Sequence, residues 1–297
     1  MKVLVLNPGA TSTKISIFEE ENEVFKTNLV HHAADLAPYA HVIDQGPFRK
    51  QLILETVEKA GYQMTDFDAV CGRGGLLRHI PSGTYAVSDQ AIADVLDPPY
   101  GEHASNLGVL LARELGDMAG IPSFFVDPVC VDEMTPVAHV TGFKGMERES
   151  FFHALNQKSI ARKAAKLLGK TYEEARLIVI HMGGGVSVAA HENGLAVDDF
   201  NVKDEGAFGM DRAGSLPVNA MINLCFSGLT KQEVKKLLGS EAGAYSYVGT
   251  KDFREVERRA FEENDPDCRM VFDAMAYQLA KDIGAMAAVL HFDVDAI

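Results

Sequence analysis

Two segments of the chain share one pattern of apolar and polar positions. The first begins with the apolar residues 3–6, continues through a small polar turn, and then alternates apolar and polar residues as far as Phe18. The second begins with residues 177–180, continues through three glycines, and follows the same pattern to Ala190. Continuous apolar runs are typical of buried strands, and period-two alternation is typical of half-buried strands. Each segment is therefore predicted to form a β-hairpin with a glycine-bearing turn.

The two hairpin segments align without gaps at an offset of 174 residues, which pairs Leu6 with Ile180 and Asn7 with His181. Such an alignment indicates an internal duplication with one copy in each half of the chain. A single weak repeat also arises by chance, so the residues alone leave both explanations open.

Five further segments carry apolar residues at helical spacing or the signals that begin and end helices. Glycines follow three of them, Thr230 and Glu233 form a capping box before a fourth, and Pro266 precedes the fifth. The last four residues of the chain have the pattern of a strand beginning. The predicted helices are residues 51–60, 106–119, 155–168, 234–238 and 267–290.

The length of 297 residues exceeds what one hydrophobic core usually serves and predicts about two domains. Residues 141–149 are rich in glycine and charge, which places the predicted boundary near residue 150. The lobes would then span residues 1–150 and 151–297.

The charge balance is acidic, with 42 Asp and Glu against 28 Lys and Arg and a formal net charge of -14. Nonspecific nucleic-acid binding depends on cationic contacts to phosphate, so this balance argues against it. A small anionic ligand is still compatible, because a few arginines can reverse the field inside one site.

The four cysteines are scattered and form no CxxC pair, which is typical of buried thiols in a reducing compartment. The N-terminal apolar run is too short for a signal peptide, and no apolar stretch approaches the roughly 20 residues that span a bilayer. The sequence therefore predicts a cytoplasmic protein without a membrane segment.

The glycine turn at Gly183, Gly184 and Gly185 is a candidate phosphate site. Successive backbone N–H groups in a tight turn form an anion-binding concavity, and glycine lets the backbone approach a phosphate closely. The turn lacks the GK[ST] of a P-loop and the GxGxxG of a dinucleotide fold. A plain hairpin turn is the alternative.

The N-terminal turn offers hydroxyl groups, including that of Ser12, and the cation of Lys14. Facing hairpins, one in each lobe, would grip a polyphosphate between them. Lys14 is otherwise an ordinary solvent-facing strand lysine.

Two arginines lie among small residues, where flanking glycines favour close approach of a ligand. Arg73 follows a predicted strand within Gly72 to Gly75, and Arg212 lies between Gly209 and Gly214. Each is an anion clamp or a surface residue.

Three other candidates depend on their place in an element. Asp127 ends an apolar strand, a common position for a metal ligand and also for a turn. Residues 101–106, with His103, open a helix whose N–H groups favour anions, unless Ser105 or Asn106 caps it. His153 begins a helix in an apolar context, where a satisfied structural histidine is the alternative.

Taken together, these motifs resemble those of the butyrate kinases in order and spacing over the whole chain. The strings Gly-Glu-His-Ala-Ser-Asn and Phe-His-Ala-Leu-Asn-Gln-Lys distinguish the chain from acetate kinases. The matching segments are residues 7–14, 72–75, 101–108, 152–158 and 181–185.

This resemblance implies an α/β protein of the acetate and sugar kinase, heat-shock protein 70 and actin superfamily. The implied fold is the two-lobed, actin-like ATPase (ribonuclease H-like) fold. It has duplicated mixed β-sheet domains and a cleft between them that holds ATP or ADP and Mg²⁺. It also implies homodimers or higher oligomers, favours the duplication, and indicates a family that continues beyond residue 297 with a strand and an adenosine-binding turn.

The resemblance also implies a role for each candidate residue. Arg73 and Arg212 would flank the transferring phosphoryl group and the substrate carboxylate, and His153 would donate to the phosphoryl oxygens in the transition state. Asp127 would help to hold Mg²⁺ through water. The remaining residues would line the ligands: Asn7, Ser12 and Lys14 at phosphate or metal, His103 and Asn106 at the substrate, and His181, Gly183, Gly184 and Gly185 at the nucleotide.

The implied activity is a reversible transfer of the γ-phosphoryl group of ATP to butyrate, which gives butyryl phosphate and ADP. The alternatives are a kinase for isobutyrate or another short-chain fatty acid, and a nucleotide-binding fragment without a complete catalytic site. A sugar kinase or an actin-like ATPase is a further alternative. A sugar kinase needs a carboxylate base for a hydroxyl group, whereas arginines and histidines occupy the matched positions here.

Overall fold

The computed structural model describes all 297 residues, which form two compact units, Met1–Val131 and Asp132–Ile297. The units divide earlier in the chain than the predicted boundary near residue 150. The segment between these points packs with the second unit, because Arg148 forms ion pairs with Asp198 and Glu205.

The first unit contains six strands, four α-helices and two short 3₁₀ helices. They follow the chain in this order: β1 Lys2–Pro8, β2 Ser12–Glu19, β3 Asn22–Val30, α1 Ala33–Leu36, 3₁₀ Ile43–Gln45, α2 Gly46–Lys59, 3₁₀ Met64–Asp66, β4 Ala69–Arg73, β5 Thr84–Ala86, α3 Asp89–Leu96, α4 Asn106–Ala119 and β6 Ser123–Val126.

The sheet of the first unit is mixed, with the strand order β3-β2-β1-β4-β6-β5. Strands β1, β4 and β6 are parallel neighbours, so their carboxyl ends meet at one edge of the sheet. Alternate residues of the first hairpin point into the core, where Leu4, Leu6, Ile15 and Ile17 are completely buried.

The second unit contains three strands and seven helices. They are α5 Pro136–His139, α6 Ala154–Leu167, β7 Leu177–Met182, β8 Val186–Glu192, β9 Leu195–Phe200, α7 Val218–Cys225, α8 Lys231–Ser240, α9 Gly243–Val248, α10 Phe253–Phe261 and α11 Pro266–Val289.

Helices cover both faces of the sheet in the second unit, whose order is β7-β8-β9. Leu177 and Val179 of β7 lie in one apolar cluster with residues of α6. Ile178 lies in another cluster with Met286 of α11. Because both faces are covered, successive residues of β7 are apolar rather than alternating.

Both predicted hairpins are present, but the second turn is one residue shorter than the first. Asn7 pairs with Lys14 in the first hairpin, whereas His181 pairs with Ser187 in the second. The gap-free alignment therefore holds along the first strand of each hairpin and fails beyond the turn. Structurally, Ser187 corresponds to Lys14.

One further pairing supports the duplication. Val3 pairs in parallel with Ala69, and Leu177 forms an isolated parallel bridge with Ala296. Val3 and Leu177 are separated by the same 174 residues as the hairpins. The second sheet is otherwise antiparallel, so it is not the mixed sheet that duplication predicts for each lobe.

The predicted helices are all present, and most of their bounds agree within two residues. The exceptions are α2, which begins at Gly46 rather than residue 51, and α8, which begins at Lys231 rather than residue 234. Arg49 interrupts the apolar pattern of α2. Its side chain is nevertheless completely buried, and its guanidinium is hydrogen-bonded to Gly9 and Gln45.

Candidate active site

Three predicted residues lie at the carboxyl edge of the parallel strands in the first unit. Asn7 is near the end of β1, Arg73 ends β4, and Asp127 directly follows β6. The register places Gly72 beside Leu6 and Val126 beside Arg73. The fold therefore brings these residues from distant parts of the sequence to neighbouring strand ends.

Arg73 is a cation without a carboxylate partner. Its one polar side-chain contact is a long one, 3.5 Å from Nη1 to Oδ1 of Asn7. Burial lowers the pKa of the guanidinium from its ordinary value, and no acidic group offsets that effect. A half-buried positive charge without a counter-ion is suited to bind an anion.

The glycines around Arg73 are required by helix packing. A Cβ on Gly72 would lie 1.9 Å from the carbonyl oxygen of Gly108 in α4, and one on Gly108 would lie 2.2 Å from the carbonyl oxygen of Arg73. Backbone meets backbone at this crossing, so neither position tolerates a side chain. These glycines let α4 approach β4, which is a reason other than the close ligand approach predicted from the sequence.

Asn106 and His103 both take part in hydrogen bonds that organise loops of the first unit. Asn106 is buried, and its Oδ1 accepts a hydrogen bond of 2.8 Å from the backbone N–H of Leu76, in the loop after Arg73. Nδ1 of His103 lies 2.7 Å from Oγ of Ser105 and accepts from the Ser105 N–H. Their substrate contacts remain predictions.

Asp127 and Asn7 supply oxygen atoms of the kind that Mg²⁺ prefers. Asp127 is buried, with Oδ1 accepting from the backbone N–H of Gly83 at 2.7 Å. No group of three or more His, Cys, Asp or Glu side chains in the chain is arranged to hold a metal. One carboxylate and one amide fit a Mg²⁺ ion that keeps its waters and arrives with nucleotide phosphates, rather than a permanent metal centre.

The buried side chain of Arg49, which no sequence pattern indicated, holds the turn of the first hairpin. Its guanidinium donates to the carbonyl oxygens of Gly9, Ala10 and Ser12 at 2.9, 3.2 and 3.1 Å. It also donates to Oγ1 of Thr13. Lys14 is exposed on the following strand. A buried cation under the turn adds positive potential where the phosphate was predicted.

His31 is a second residue that the sequence did not single out. Its Nε2 lies 2.9 Å from Oγ1 of Thr13, the hydroxyl that Arg49 also contacts. Burial and the nearby Arg49 charge lower the pKa of His31, so this ring is neutral at pH 7. The sequence around His31 gave no sign of this role, because a histidine among polar residues does not indicate burial.

The glycine turn of the second unit is exposed at Gly183 and Gly184 and lies against the Arg212 segment. Gly183 donates to the carbonyl oxygen of Gly185 at 3.0 Å. A Cβ on Gly185 would lie 2.3 Å from Cγ2 of Val202 and 3.0 Å from Nη1 of Arg212. The structure thus brings Arg212 beside the turn, and the only polar contact of its guanidinium is a 3.4 Å hydrogen bond to the carbonyl oxygen of Val202.

Two predicted histidines of the second unit stack on each other. The rings of His153 and His181 are nearly parallel at 11°, with centroids 3.6 Å apart. Nδ1 of His153 lies 2.8 Å from Oγ of Ser187, and Nδ1 of His181 lies 2.9 Å from Oδ1 of Asn156. His153 therefore has a polar partner on the strand that follows the glycine turn.

Two hollows of about 290 and 300 Å³ in the second unit lie away from the predicted residues. Charged side chains such as Lys170, Arg176 and Asp293 line one, and Arg148 and Glu205 line part of the other. Many of these charges already form ion pairs with each other, as Arg148 does with Glu205 and Arg176 with Asp293.

Comparison with protein families decides the affiliation of the chain. The model of the acetokinase family matches residues 142–297, more than half of the sequence. The chain belongs to the acetokinase family. Membership supports carboxylate kinase activity with ATP as the phosphoryl donor.

Several solved structures resemble this chain in fold. The acetate kinase of Porphyromonas gingivalis is 22% identical with a TM-score of 0.77, over 97% of this chain and 80% of that one. The propionate kinase of Francisella tularensis is 16% identical with a TM-score of 0.74, over 99% and 82%. The acetate kinase of Entamoeba histolytica is 15% identical with a TM-score of 0.72, over 97% and 79%. These matches confirm the predicted fold class.

No helix of the chain is both long and apolar enough to cross a membrane.

Proposed function

We propose that this member of the acetokinase family transfers a phosphoryl group reversibly between ATP and a short-chain fatty acid, with butyrate or isobutyrate as the acceptor. The observation that carries the proposal is the pair of arginines without carboxylate partners. Arg73 lies half-buried at the carboxyl edge of one sheet, and Arg212 lies beside the exposed glycine turn of the other unit. Both reactants are anions, so the reaction needs cations that are not already neutralised.

The chemistry of the acceptor explains why no base is required. A carboxylate is ionised at neutral pH and attacks the γ-phosphorus directly, so the protein does not have to remove a proton. The obstacles are repulsion between two anions and charge on the equatorial phosphoryl oxygens. Positioning and cationic donors therefore supply most of the rate, with Arg73 and Arg212 as the cations and His153 as a further donor.

The nucleotide phosphates would be bound by backbone and hydroxyl groups. Gly183 and Gly184 are exposed, but the Gly183 N–H already donates within the turn, so the N–H of Gly184 suits this role best, with Gly183 and the buried Gly185 on either side and His181 nearby. In the first unit, Ser12 and Lys14 follow the turn that Arg49 supports. Asn7 and Asp127 would hold Mg²⁺, which neutralises charge between the β- and γ-phosphates when it is bound.

The loop that distinguishes the chain from acetate kinases is held by two hydrogen bonds of Glu102. Glu102 lies 2.7 Å from Nδ1 of His41, and its second oxygen accepts from the backbone N–H of Val42. These bonds fix the segment that carries His103. The arrangement supports a role for the Gly-Glu-His-Ala-Ser-Asn string in shaping the acid-binding region, and the choice of butyrate or isobutyrate rests on the resemblance of that string.

A hydroxamate assay tests the proposal. The chain is incubated with ATP, Mg²⁺ and either acetate, propionate, butyrate or isobutyrate, and acyl phosphate is trapped with hydroxylamine. We expect the highest kcat/KM with butyrate or isobutyrate. Highest activity with acetate would overturn the choice of acid, and no acyl phosphate from any of the four acids would overturn the kinase itself.

A further inference from the structure

Five side chains of the second unit form one continuous line of hydrogen bonds that ends at His153. Starting from the interior, Tyr172 OH lies 2.7 Å from Nδ1 of His191, and Nε2 of His191 lies 3.1 Å from Oε1 of Gln157. Nε2 of Gln157 lies 2.9 Å from Oγ of Ser187, which lies 2.8 Å from Nδ1 of His153. His191 and Gln157 are completely buried, and Ser187 is 1% exposed.

The direction of the inner bonds follows from one backbone contact. Nε2 of Gln157 lies 3.1 Å from the carbonyl oxygen of Ser187, which can only accept. The amide nitrogen must therefore face Ser187, and Oε1 must face His191. Because Oε1 only accepts, the proton of His191 is on Nε2, and its Nδ1 accepts from the hydroxyl group of Tyr172. Burial lowers the pKa of His191 to about 3, in agreement with a neutral ring.

The direction of the last bond follows from the hydroxyl group of Ser187. Its Oγ accepts from Nε2 of Gln157 and, at 3.3 Å, from the backbone N–H of His153. The remaining neighbour of the hydroxyl is Nδ1 of His153. The hydroxyl proton is buried and needs an acceptor, so it is directed to Nδ1.

We propose that this line of bonds holds His153 as the neutral tautomer with its proton on Nε2, so that Nε2–H is the donor offered to the phosphoryl oxygens. Ser187, Gln157, His191 and Tyr172 are then positioning residues for that donor. The inference deepens the proposed function and rests on it for the identity of the acceptor. The tautomer itself follows from the hydrogen-bond geometry alone.

A charged His153 would conflict with the same geometry. A proton on Nδ1 would point at an oxygen that already accepts two hydrogen bonds, and it would leave the Ser187 proton without an acceptor. The stacked ring of His181, with its centroid 3.6 Å away, adds repulsion if both rings are cationic. Bonds that all run in one direction also polarise each other, which strengthens the final donor.

Nitrogen-15 NMR of the full chain, labelled at the histidine side chains, tests the tautomer directly. The signals of His153 are assigned from their loss in His153→Gln. We expect at pH 7 a protonated Nε2 and an unprotonated Nδ1. A proton on Nδ1, either in the other neutral tautomer or in the imidazolium ion, overturns the inference, whether or not the chain is active.

Removal of the last donor tests the positioning role. In Ser187→Ala, Nδ1 of His153 loses its donor, so both tautomers should become populated, and kcat should fall roughly tenfold with little change in KM. Ser159→Ala is the matched control, because it lies on α6 with Gln157 and has no contact with His153. If kcat and the NMR spectrum of Ser187→Ala equal those of the control, the positioning role is wrong.

The outcomes separate this inference from the proposed function. An inactive chain with the Nε2–H tautomer would overturn the kinase proposal and leave the tautomer established. An active chain with a proton on Nδ1 would support the kinase proposal and overturn the tautomer.

Discussion

Arg73 and Arg212 are the residues whose surroundings fit anion binding and little else. Most of the other arginines form an ion pair with a carboxylate, as Arg148 does with Glu205. We expect Arg73→Ala or Arg212→Ala to lose on the order of 10²-fold or more in kcat, because each removes a cation that stabilises charge in the transition state. Steady-state acyl phosphate formation measures the effect.

Arg254→Ala is the matched control, because Arg254 forms an exposed ion pair with Asp252 on the surface. Circular dichroism should show that all three variants keep their helices. Near-normal turnover in either active-site variant would remove that arginine from the mechanism.

The buried carboxyl of Asp199 should make the stability of the protein depend on pH. Its side chain is completely buried, Ser150 donates to one oxygen at 2.6 Å, and the other oxygen has no partner. Burial raises the pKa of this carboxyl to about 8, whereas an unfolded Asp loses its proton near about pH 4. Between these values the folded state binds more protons, so the free energy of unfolding decreases as pH rises.

We expect Asp199→Asn to reduce that decrease, because the amide does not titrate. Urea unfolding at several pH values between about 5 and 8 measures the slope. Asp273→Asn, at an exposed position on α11, is the control and should keep the slope of the parent chain. An identical slope in Asp199→Asn would show that this carboxyl is ionised in the folded protein.

Residue roles were only partly predictable from the sequence. Gly72 and Arg73 were recognised as unusual, but the reason for the glycine is the crossing of α4, which the local sequence does not encode. Arg49 and Ser187 were not recognised, because their importance comes from groups that are distant in the chain. Burial of a polar side chain is a property of the folded state alone.

At the scale of elements, the second glycine turn contains one glycine that packing requires and one that has room for a side chain. A Cβ on Gly185 would meet Val202 at 2.3 Å, so Gly185→Ala should destabilise the protein by about 1–3 kcal/mol. A Cβ on Gly184 would have its nearest neighbour at 3.7 Å, so Gly184→Ala should fold normally.

Gly184→Ala should nevertheless weaken ADP binding by roughly tenfold or more, because its Cβ would keep the phosphate from the backbone N–H and so prevent one hydrogen bond to a charged group. Urea unfolding and calorimetric titration with ADP and Mg²⁺ measure the two properties. Gly239→Ala in α8, where the Cβ meets nothing within 4 Å, is the control. Unchanged ADP affinity in Gly184→Ala would argue against backbone binding of phosphate at this position.

The first turn depends on α2 in a comparable way. Arg49→Met leaves the carbonyl oxygens of Gly9, Ala10 and Ser12 without their buried donor, so we expect a loss of about 3 kcal/mol or more in the free energy of unfolding. Lys59→Met, at an exposed position on the same helix, should change it by less than about 0.5 kcal/mol. Equal stability of the two variants would contradict a role for Arg49 in holding the turn.

At the scale of the whole molecule, nucleotide binding should stabilise the fold. Addition of ADP and Mg²⁺ at about 100 times the dissociation constant is expected to add about 2.7 kcal/mol to the free energy of unfolding. EDTA should remove part of that gain, since Asn7 and Asp127 are the expected metal-associated residues.

Thermal unfolding with ADP, with and without Mg²⁺, measures both effects. In Asp127→Asn, the Mg²⁺-dependent part should shrink while the Gly83 N–H still has an oxygen to bond to. A full Mg²⁺ effect in this variant would exclude Asp127 as a metal-associated residue. The oligomeric state and the cytoplasmic location stay predictions, and light scattering would measure the first.

The sequence by itself determined the hairpins, the main helices and the order of the motifs, because strand alternation, helical spacing and caps are local properties of the chain. It also carried the resemblance from which the fold class was predicted. Only the tertiary structure decided which polar groups are buried and in which direction they donate. Arg49, Ser187 and Gln157 act through partners far away in the sequence, and close packing alone brings those partners within hydrogen-bonding distance.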